Sequence, residues 1–398
     1  MENEKNDYSK EPERKLEQFI INCKEPFNAE PTPSQLISNF ITPTENFYVR
    51  NHAPVPDIDV STYILKVDGL VGKALSLTMR DIKERFPKVT ITAHLQCAGN
   101  RRTMMSEYKK VKGVGWGIAS LSNATWSGCR LRDVLVEAKA FGKDLGALHA
   151  CFWGLDIGCV EDNGKPYGSS ITMEKAMELD GDVLLAYEMN GETLTRDHGF
   201  PLRVIAPGII GARSVKWLDK ITVSSNESES FFQQRDYKIF HNGVDWHNVS
   251  QYWDKTPSLQ ELSVQSAICL PAPGSSLYLP FQIMGYATSG GGRKIERVDI
   301  SLDGGVTWDY SDLMNEDKGP VNKYWSWAFF RYNLTADKFQ FAPGMIEKDI
   351  QIVCRAWDNS SNTQPKDVKD IWNLRGVMNN SWHQVNVKVI NKNLNSNL

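Results

Sequence analysis

A single cysteine, Cys97, stands where a strand pattern gives way to a turn. Residues 89–96 alternate as a β-strand does, and the small residues after Cys97 lead directly to Arg101 and Arg102. A side chain that must reach out of a rigid scaffold often lies at such a place, and nearby guanidinium groups favour the thiolate that binds metals. The same residue types fit a buried structural cysteine beside two surface arginines equally well.

The longer string around this cysteine resembles a known family. Residues 95–102, Leu-Gln-Cys-Ala-Gly-Asn-Arg-Arg, resemble the molybdenum-ligand segment of the sulfite oxidase family. Further segments that resemble the family occur in the family's order, at residues 47–52, 198–203, 211–217, 235–237 and 372–377. The resemblance is closest to the haem-free plant type. It implies that Cys97 ligates molybdenum carried by a molybdopterin cofactor, a soft-ligand centre suited to two-electron chemistry, and that this chain binds no haem.

The resemblance also implies a substrate pocket for sulfite. The family reaction is the two-electron oxidation of sulfite to sulfate by oxygen-atom transfer at the molybdenum. A small oxyanion calls for guanidinium donors, whose planar geometry matches its oxygens. By their places in the matched segments, Arg50, Arg102 and Arg375 are assigned to this catalytic pocket. The resemblance adds Trp116 as a wall and Tyr237 as a hydrogen-bonding hydroxyl.

A second set of residues is implied to hold the cofactor. The pterin carries a terminal phosphate, which favours cations, hydroxyl groups and closely approaching backbone, as the 208–211 stretch would allow. Arg203 and Lys216 have the clearest physical reason to contact that phosphate, whereas His198 could instead be a structural histidine. The residues assigned to the cofactor are Phe47, Tyr48, Val49, Asn51, Cys97, Asp156, His198, Arg203, Ser214, Val215 and Lys216.

Other functions remain open at this point. The molybdenum domain of assimilatory nitrate reductase shares the segment around Cys97, although sulfite-type enzymes keep the residue types of Tyr237, Arg375 and Val377. Gly117 departs from the Asp that sulfite oxidases often have there. A non-catalytic binding protein that keeps the fold is a further alternative, but the expected charged positions are all occupied. Oxygen is the expected electron acceptor, giving hydrogen peroxide, and a sulfite dehydrogenase with a separate electron carrier is the alternative.

Composition limits the possible partners. The 398 residues contain 45 Lys and Arg against 48 Asp and Glu, so no overall basic charge suggests nucleic acid. No apolar run approaches the roughly 20 residues that span a bilayer, which predicts no membrane association. The seven cysteines form no Cys-x-x-Cys pair, which argues against a zinc ribbon and fits a reducing compartment.

The two ends of the chain bear on location. The first twenty residues are too acidic for a mitochondrial transit peptide and too charged for a secretory signal. The final residues Ser396, Asn397 and Leu398 differ by one from the Ser-Lys-Leu peroxisomal signal. We therefore expect the peroxisomal matrix, with a cytoplasmic or mitochondrial location as the alternative.

The order of patterns predicts an α+β protein of two domains. Helices are predicted at residues 76–86 and 131–138, strands at 89–96 and 147–154, and a hairpin at Asn190-Gly191. After about residue 255, short alternating strands predict a β-sandwich. The predicted parts are a mobile segment at 1–27, a mixed α/β molybdopterin-binding domain at 28–254, a β-sandwich at 255–392 and a tail at 393–398. The resemblance implies that the sandwich is immunoglobulin-like and forms a homodimer.

Overall fold

The structure is a computed structural model that describes residues 6–140, 146–158, 164–314 and 319–391. The tail predicted for residues 393–398 lies outside the described residues. In the part of the chain that is described, no helix combines the length and apolar character needed to cross a membrane.

Strands dominate the part of the chain predicted to be catalytic, which extends from residue 19 to residue 254 and is here named the catalytic half, and its helices are short. The strands are β1 (Phe19–Cys23), β2 (Asn28–Pro31), β3 (Val49–Arg50), β4 (Ile64–Gly69), β5 (Leu75–Thr78), β6 (Val89–Gln96), β7 (Leu121–Arg130), β8 (His149–Gly154), β9 (Gly168–Thr172), β10 (Leu184–Met189), β11 (Glu192–Thr193), β12 (Arg203–Ile205) and β13 (Leu218–Ser224). The α-helices among the described residues are α1 (Pro33–Leu36), α2 (Met79–Arg85), α3 (Arg102–Tyr108), α4 (Leu131–Glu137), α5 (Met173–Met177) and α6 (Val368–Ile371).

Three sheets carry this half. They have the orders β1-β2-β3, β11-β10-β7-β6 with β12 paired to β10, and β5-β4-β13-β8-β9. The last sheet is mixed, since β4 and β13 run parallel while its other neighbours are antiparallel. The predicted strand that ends before Cys97 is confirmed as β6, and the predicted hairpin is confirmed as the β10-β11 pair. Together these elements confirm a mixed α/β catalytic half.

Helix α2 starts later than its pattern predicted. Residues 76–78, predicted to begin a helix, instead belong to β5, and the helix begins at Met79. Thr78 is the N-cap: its side chain accepts from the Asp81 backbone N–H, while the Asp81 carboxylate accepts from the Thr78 N–H. This capping box fixes the helix start. The predicted helix at 131–138 is confirmed as α4.

The C-terminal half is a β-sandwich, as predicted. Its strands are β14 (Gln265–Leu270), β15 (Ser276–Tyr278), β16 (Phe281–Thr288), β17 (Ile295–Ser301), β18 (Asp309–Tyr310), β19 (Asp312–Met314), β20 (Ala328–Leu334), β21 (Glu347–Asp358) and β22 (His383–Ile390). They form two sheets, β14-β16-β20-β19 and β15-β22-β21-β17-β18. Alternating residues of β17, β21 and β22 are buried in the core between the sheets, which is the period-2 pattern seen in the sequence.

Part of the N-terminal segment, for which mobility is predicted, pairs with other elements of the fold. Within residues 6–27, strand β1 pairs with β2, which in turn pairs with β3. The side chain of Arg14 is only 9% exposed and forms ion pairs with Glu11 and Asp197. Arg14, one of the charges that suggested a solvated tail, therefore has a specific partner in the catalytic half.

Candidate active site

Cys97 lies at the end of β6, in a turn that folds back on itself. Its backbone N–H donates to the Ser120 carbonyl at 2.9 Å, and its carbonyl accepts from the Asn100 N–H at 2.9 Å. The Gly99 N–H points at the Cys97 sulfur, with an N···Sγ distance of 3.4 Å. The residue is 5% exposed. The strand and the turn therefore hold one thiol in a fixed position at the edge of a cavity.

The two arginines after this turn diverge. Arg101 adopts a left-handed conformation, with φ of 64°, and its guanidinium donates to the carbonyls of Ser266, Ser381 and Trp382 in the C-terminal half. Arg102 instead interacts electrostatically with Cys97. The expectation that both guanidinium groups act on the thiol is therefore wrong for Arg101, which joins the two halves of the protein.

A cavity beside Cys97, here named the cofactor cavity, collects most of the residues predicted to hold the cofactor. It is lined by Phe47, Tyr48, Arg50, Asn51, His52, Leu95, Cys97, Ala98, Asp156, Tyr167, Asp197, His198, Arg203, Gly211, Ala212, Ser214, Val215, Lys216, Trp217 and Tyr237. Val49 is absent from this lining, because its side chain packs with Phe27 and Ala29 on the other side of the short strand β3.

One end of the cofactor cavity is cationic. The Lys216 ammonium donates to the side-chain oxygen of Asn51 and, at 2.8 Å, to the Asp197 carbonyl. The Arg203 guanidinium donates to the carbonyls of His198 at 3.0 Å and Ser214 at 3.2 Å. Burial lowers the pKa of Lys216 to about 7 and that of Arg203 to about 10. Burial disfavours the charged form of both side chains. An anionic group such as a phosphate would stabilise these two cations.

His198 is neutral near pH 7. Burial lowers its pKa to about 4, and its Nε2 lies 3.2 Å from the Thr44 carbonyl oxygen. Its ring also packs edge-on against Phe47. His198 therefore lines the cofactor cavity as an uncharged, well-packed group and adds no positive charge to the cation pair.

Unpaired polar atoms indicate a hydrogen-bonding ligand in the same cavity. Among the described residues, neither Asn51 Nδ2 nor Asp156 Oδ1 has a hydrogen-bond partner, although both atoms are buried. Burial also raises the pKa of Asp156. A pterin presents ring donors and acceptors that could pair with such atoms. The cation end, these free polar atoms and one soft thiol therefore fit a molybdopterin cofactor.

The protein offers the metal few ligands of its own. Within the described ranges, no group of three or more His, Cys, Asp or Glu side chains could hold a metal ion. A metal at Cys97 would therefore take its other ligands from the cofactor, as a dithiolene provides.

A second cavity, here named the substrate-side cavity, adjoins the first. It shares Arg50, His52 and Tyr237 with the cofactor cavity. Its lining residues are Asn6, Tyr8, Cys23, Glu25, Pro26, Asn28, Arg50, His52, Arg102, Lys112, Gly113, Val114, Gly158, Phe231, Phe232, Asp236, Tyr237 and Arg375. The structure thus brings the three predicted substrate arginines to one cavity. Trp116 lines neither cavity, since it is fully buried in a cluster with Phe47, Tyr48 and Cys97.

Each of the three arginines is held differently. Arg50 donates to Asn28 Oδ1 at 3.1 Å. Arg102 donates from Nε to the Gly376 carbonyl at 3.0 Å and from a terminal nitrogen to the Val114 carbonyl at 2.8 Å. Arg375 forms an ion pair with Asp236. The cavity therefore carries more positive charge than its carboxylates offset, which favours an anion.

The loop that carries Arg375 has little freedom. Its turn is closed by Asn373, whose side chain donates to the Val377 carbonyl at 2.8 Å and accepts from the Val377 N–H at 3.2 Å. Gly376 has a φ of 59°, and a Cβ there would lie 2.6 Å from a Val111 methyl group and 2.9 Å from Cγ of Arg102. Only glycine suits this position, so the loop delivers Arg375 next to Arg102.

Tyr237 follows a π-helical turn at Phe232–Asp236, an irregularity often found at functional sites. Its hydroxyl lies 3.2 Å from Nε2 of His52. Burial raises the Tyr237 pKa, and burial together with the charges of Arg50, Lys216 and Arg102 holds the His52 pKa well below its ordinary value. At neutral pH the pair is therefore a protonated phenol and an uncharged imidazole.

Several cavity residues were not assigned from the sequence. His52 closes the matched segment at 47–52, and Asp197 precedes the matched segment at 198–203, so their places beside known segments were the available signal. Lys112 and Tyr167 had no such signal, because they reach the cavities only through the folding of distant loops.

Comparisons with known proteins agree with this arrangement. Residues 52–232 match the family model described as the oxidoreductase molybdopterin binding domain, and residues 256–390 match the Mo-co oxidoreductase dimerisation domain. Sulfite oxidase from Arabidopsis thaliana is 45% identical, with 98% of each chain covered. Sulfite oxidase from Gallus gallus is 48% identical over 92% of this chain and 76% of its own.

A more distant relative and a solved structure extend the comparison. Nitrate reductase [NAD(P)H] from Hordeum vulgare is 40% identical over 92% of this chain and 41% of its own. The sulfane dehydrogenase SoxCD from Paracoccus pantotrophus superposes with a TM-score of 0.72 at 26% identity, covering 90% of this chain and 83% of that one. On this identity and coverage, together with the two domain matches, the chain belongs to the sulfite oxidase family of molybdopterin-dependent oxidoreductases.

Proposed function

We propose that this protein is a molybdenum sulfite oxidase, which converts sulfite and water into sulfate, two protons and two electrons. The observation that carries the proposal is the meeting of two cavities at Arg50, His52 and Tyr237. One cavity contains Cys97 and the cation end, and the other contains Arg102 and Arg375. A substrate anion in the second cavity would lie beside the centre held in the first.

The molybdenum cofactor, when bound at Cys97, supplies the oxygen atom for the sulfur lone pair and accepts the two electrons. The protein's own task is to bring an anion to an electron-rich centre. Arg50, Arg102 and Arg375 supply guanidinium donors on the cavity wall, which offset the repulsion and orient the three sulfite oxygens. Their buried neighbours hold these donors in place before the substrate arrives.

Tyr237 and His52 complete this wall. Because the phenol keeps its proton and the imidazole is neutral at pH 7, Tyr237 can donate a hydrogen bond to an oxygen without adding charge. His52 orients the phenol through the 3.2 Å contact between its Nε2 and the hydroxyl oxygen. We assign Tyr237 to hydrogen bonding with substrate oxygen and His52 to positioning it.

Reduction of nitrate is the second candidate, because the barley nitrate reductase is 40% identical. Arg375 and Tyr237, whose residue types favour sulfite, both line the substrate-side cavity. The test gives molybdenum-loaded protein sulfite with ferricyanide in one assay and nitrate with reduced methyl viologen in another. Sulfite turnover without nitrate turnover supports the proposal, whereas the reverse overturns it.

For the electron acceptor we propose molecular oxygen, reduced to hydrogen peroxide by the two electrons. The support is the similarity to the Arabidopsis sulfite oxidase along nearly its whole length. Oxygen uptake on addition of sulfite, partly reversed by catalase, is the expected result. Molybdenum-loaded protein that turns over with ferricyanide but takes up no oxygen would instead use a separate electron carrier.

We further propose a homodimer formed through the C-terminal sandwich, supported by the match of residues 256–390 to a dimerisation domain. Light scattering on the purified protein should give twice the chain mass, and a monomer at all concentrations would contradict it. The peroxisomal location rests on the terminal Ser-Asn-Leu alone. Removal of these three residues from a fluorescent fusion should abolish import, and unchanged import would refute the signal.

A further inference from the structure

The segment before the first strand lines the substrate-side cavity and a groove next to the cofactor cavity. Residues 6–18, here named the strap, are fastened to the catalytic half by side chains along their length. Asn6 Nδ2 donates to the Gly158 carbonyl at 2.8 Å, and Glu11 accepts from the Val55 N–H at 2.7 Å. At its N-terminal end, Asn6 and Tyr8 line the substrate-side cavity.

The strongest fastening is made by Arg14. Its Nε donates to one carboxylate oxygen of Asp197 at 2.7 Å, and a terminal nitrogen donates to the other at 2.7 Å. The same terminal nitrogen also donates to Glu11 at 2.5 Å, and the guanidinium lies 4.1 Å from the ring centre of Phe27. With side-chain exposures of 9% for Arg14 and 12% for Asp197, this is a shielded bidentate pair rather than a surface ion pair.

The partner of Arg14 belongs to the cofactor cavity. The Asp197 carbonyl accepts from the Lys216 ammonium at 2.8 Å, so the strap is two contacts away from the cation end. A groove runs between the strap and the catalytic half, and Arg14 forms part of its strap side. On the opposite side it is lined by Phe47, Asp197 and His198, which also line the cofactor cavity. The strap therefore lies between solvent and the cation end of the cofactor cavity.

We propose that the strap is a latch that retains the molybdenum cofactor, with Arg14 as its positioning residue. This inference rests on the cofactor placement proposed above. A cofactor with its phosphate at Lys216 and Arg203 leaves through the groove only when the strap lifts, and lifting the strap breaks the two bonds between Arg14 and Asp197. Local opening of a terminal segment then sets the rate of cofactor loss.

The test measures molybdenum retained by the purified holoenzyme over time, after removal of free cofactor by desalting. Arg14→Met keeps the aliphatic stem and removes the bidentate pair, so we expect loss of molybdenum to be about tenfold faster. Arg14→Lys keeps one charge and should lose molybdenum at an intermediate rate. It also provides the test if Arg14→Met does not fold.

Two control variants separate the latch from general weakening. Lys10→Met removes an exposed cation from the same strap. Arg293→Met removes a residue that pairs with Glu261 and Asp358 in the C-terminal half, away from the cofactor cavity. Both should retain molybdenum as the wild type does. The activity per bound molybdenum of Arg14→Met should equal that of the wild type, because Arg14 lines neither the cofactor cavity nor the substrate-side cavity.

The latch is overturned if Arg14→Met or Arg14→Lys retains molybdenum as long as the wild type does. It is also overturned if Arg293→Met loses molybdenum as fast as Arg14→Met does. These outcomes are distinct from failure of the proposed function, because molybdenum is counted without sulfite. A wild-type protein that binds the cofactor tightly but does not oxidise sulfite would leave the latch intact and refute the activity.

Discussion

The Tyr237 hydroxyl lies 3.2 Å from Nε2 of His52, and both side chains border the cofactor cavity as well as the substrate-side cavity. The pair thus stands at the boundary where substrate and metal centre would meet. His52 is packed against the rings of Tyr167 and Phe232, with centroid distances of 4.8 and 4.4 Å, so the hydroxyl contact has a rigid base.

Removing the phenol oxygen should slow turnover. Tyr237→Phe keeps the ring but loses the hydrogen bond to a charged oxygen, a loss of about 1.5–3 kcal/mol, so we expect kcat/KM for sulfite to fall by roughly 10- to 100-fold. Steady-state kinetics per bound molybdenum provide the measurement. Tyr332→Phe, which removes a hydroxyl bonded to Asp309 in the sandwich, is the matched control. Equal kinetics for both variants would remove Tyr237 from the reaction.

Cys97→Ser should abolish turnover, because a hydroxyl replaces the soft sulfur ligand of the metal. Sulfite oxidation and molybdenum content are measured together. Cys151→Ser changes another buried thiol, one whose sulfur lies 3.7 Å from the Asn226 carbonyl, and should keep its activity. Substantial activity in Cys97→Ser with bound cofactor would show that this thiol is not an essential ligand.

Substitution of Arg102 or Arg375 should weaken sulfite binding, whereas substitution of Arg101 should lower the stability of the fold. Arg102→Met and Arg375→Met should each raise the KM for sulfite at least about tenfold, as expected from the loss of a charged hydrogen bond. Arg101→Met should leave the KM within about twofold and lower the free energy of unfolding by about 2 kcal/mol, since the carbonyls of Ser381 and Trp382 lose their hydrogen bonds from the guanidinium. A raised KM in Arg101→Met with normal stability would contradict this division.

Binding of the cofactor should weaken as the pH rises through about 7. Burial lowers the pKa of Lys216 to about 7, so the lysine is charged below this pH and becomes neutral above it. Loss of that charge weakens the attraction for a phosphate. Reconstitution of cofactor-free protein should therefore be less complete at pH 8.5 than at pH 6. In Lys216→Arg the side chain stays charged, and this dependence should flatten. The same slope in both proteins would exclude Lys216 as its cause.

The sequence predicted the position of Cys97 because strand alternation is a local property, and β6 ends directly before the cysteine. The direction of the next two side chains is not local. Arg101 takes a left-handed conformation that sends its guanidinium into the C-terminal half, and no pattern in the sequence signals that turn. The sequence therefore suggested one role for Arg101 and Arg102, whereas the structure gives them two different roles.

Long-range partners are likewise hidden in the sequence of the N-terminal segment. Its many charges predicted a solvated tail, but Arg14 pairs with Asp197, 183 positions along the chain. Val49 and Trp116 show the reverse case, since the resemblance assigned both to the site and yet they pack away from both cavities. A motif indicates which loop approaches a site, whereas the local backbone decides which side chain faces it.

The most direct test of the central claim is an anaerobic single-turnover experiment, in which molybdenum-loaded protein receives sulfite with no electron acceptor and the sulfate formed is counted. We expect about one sulfate per molybdenum, since each centre takes two electrons once, and none from the Cys97→Ser variant. No sulfate from fully loaded wild-type protein would contradict sulfite oxidation at this site.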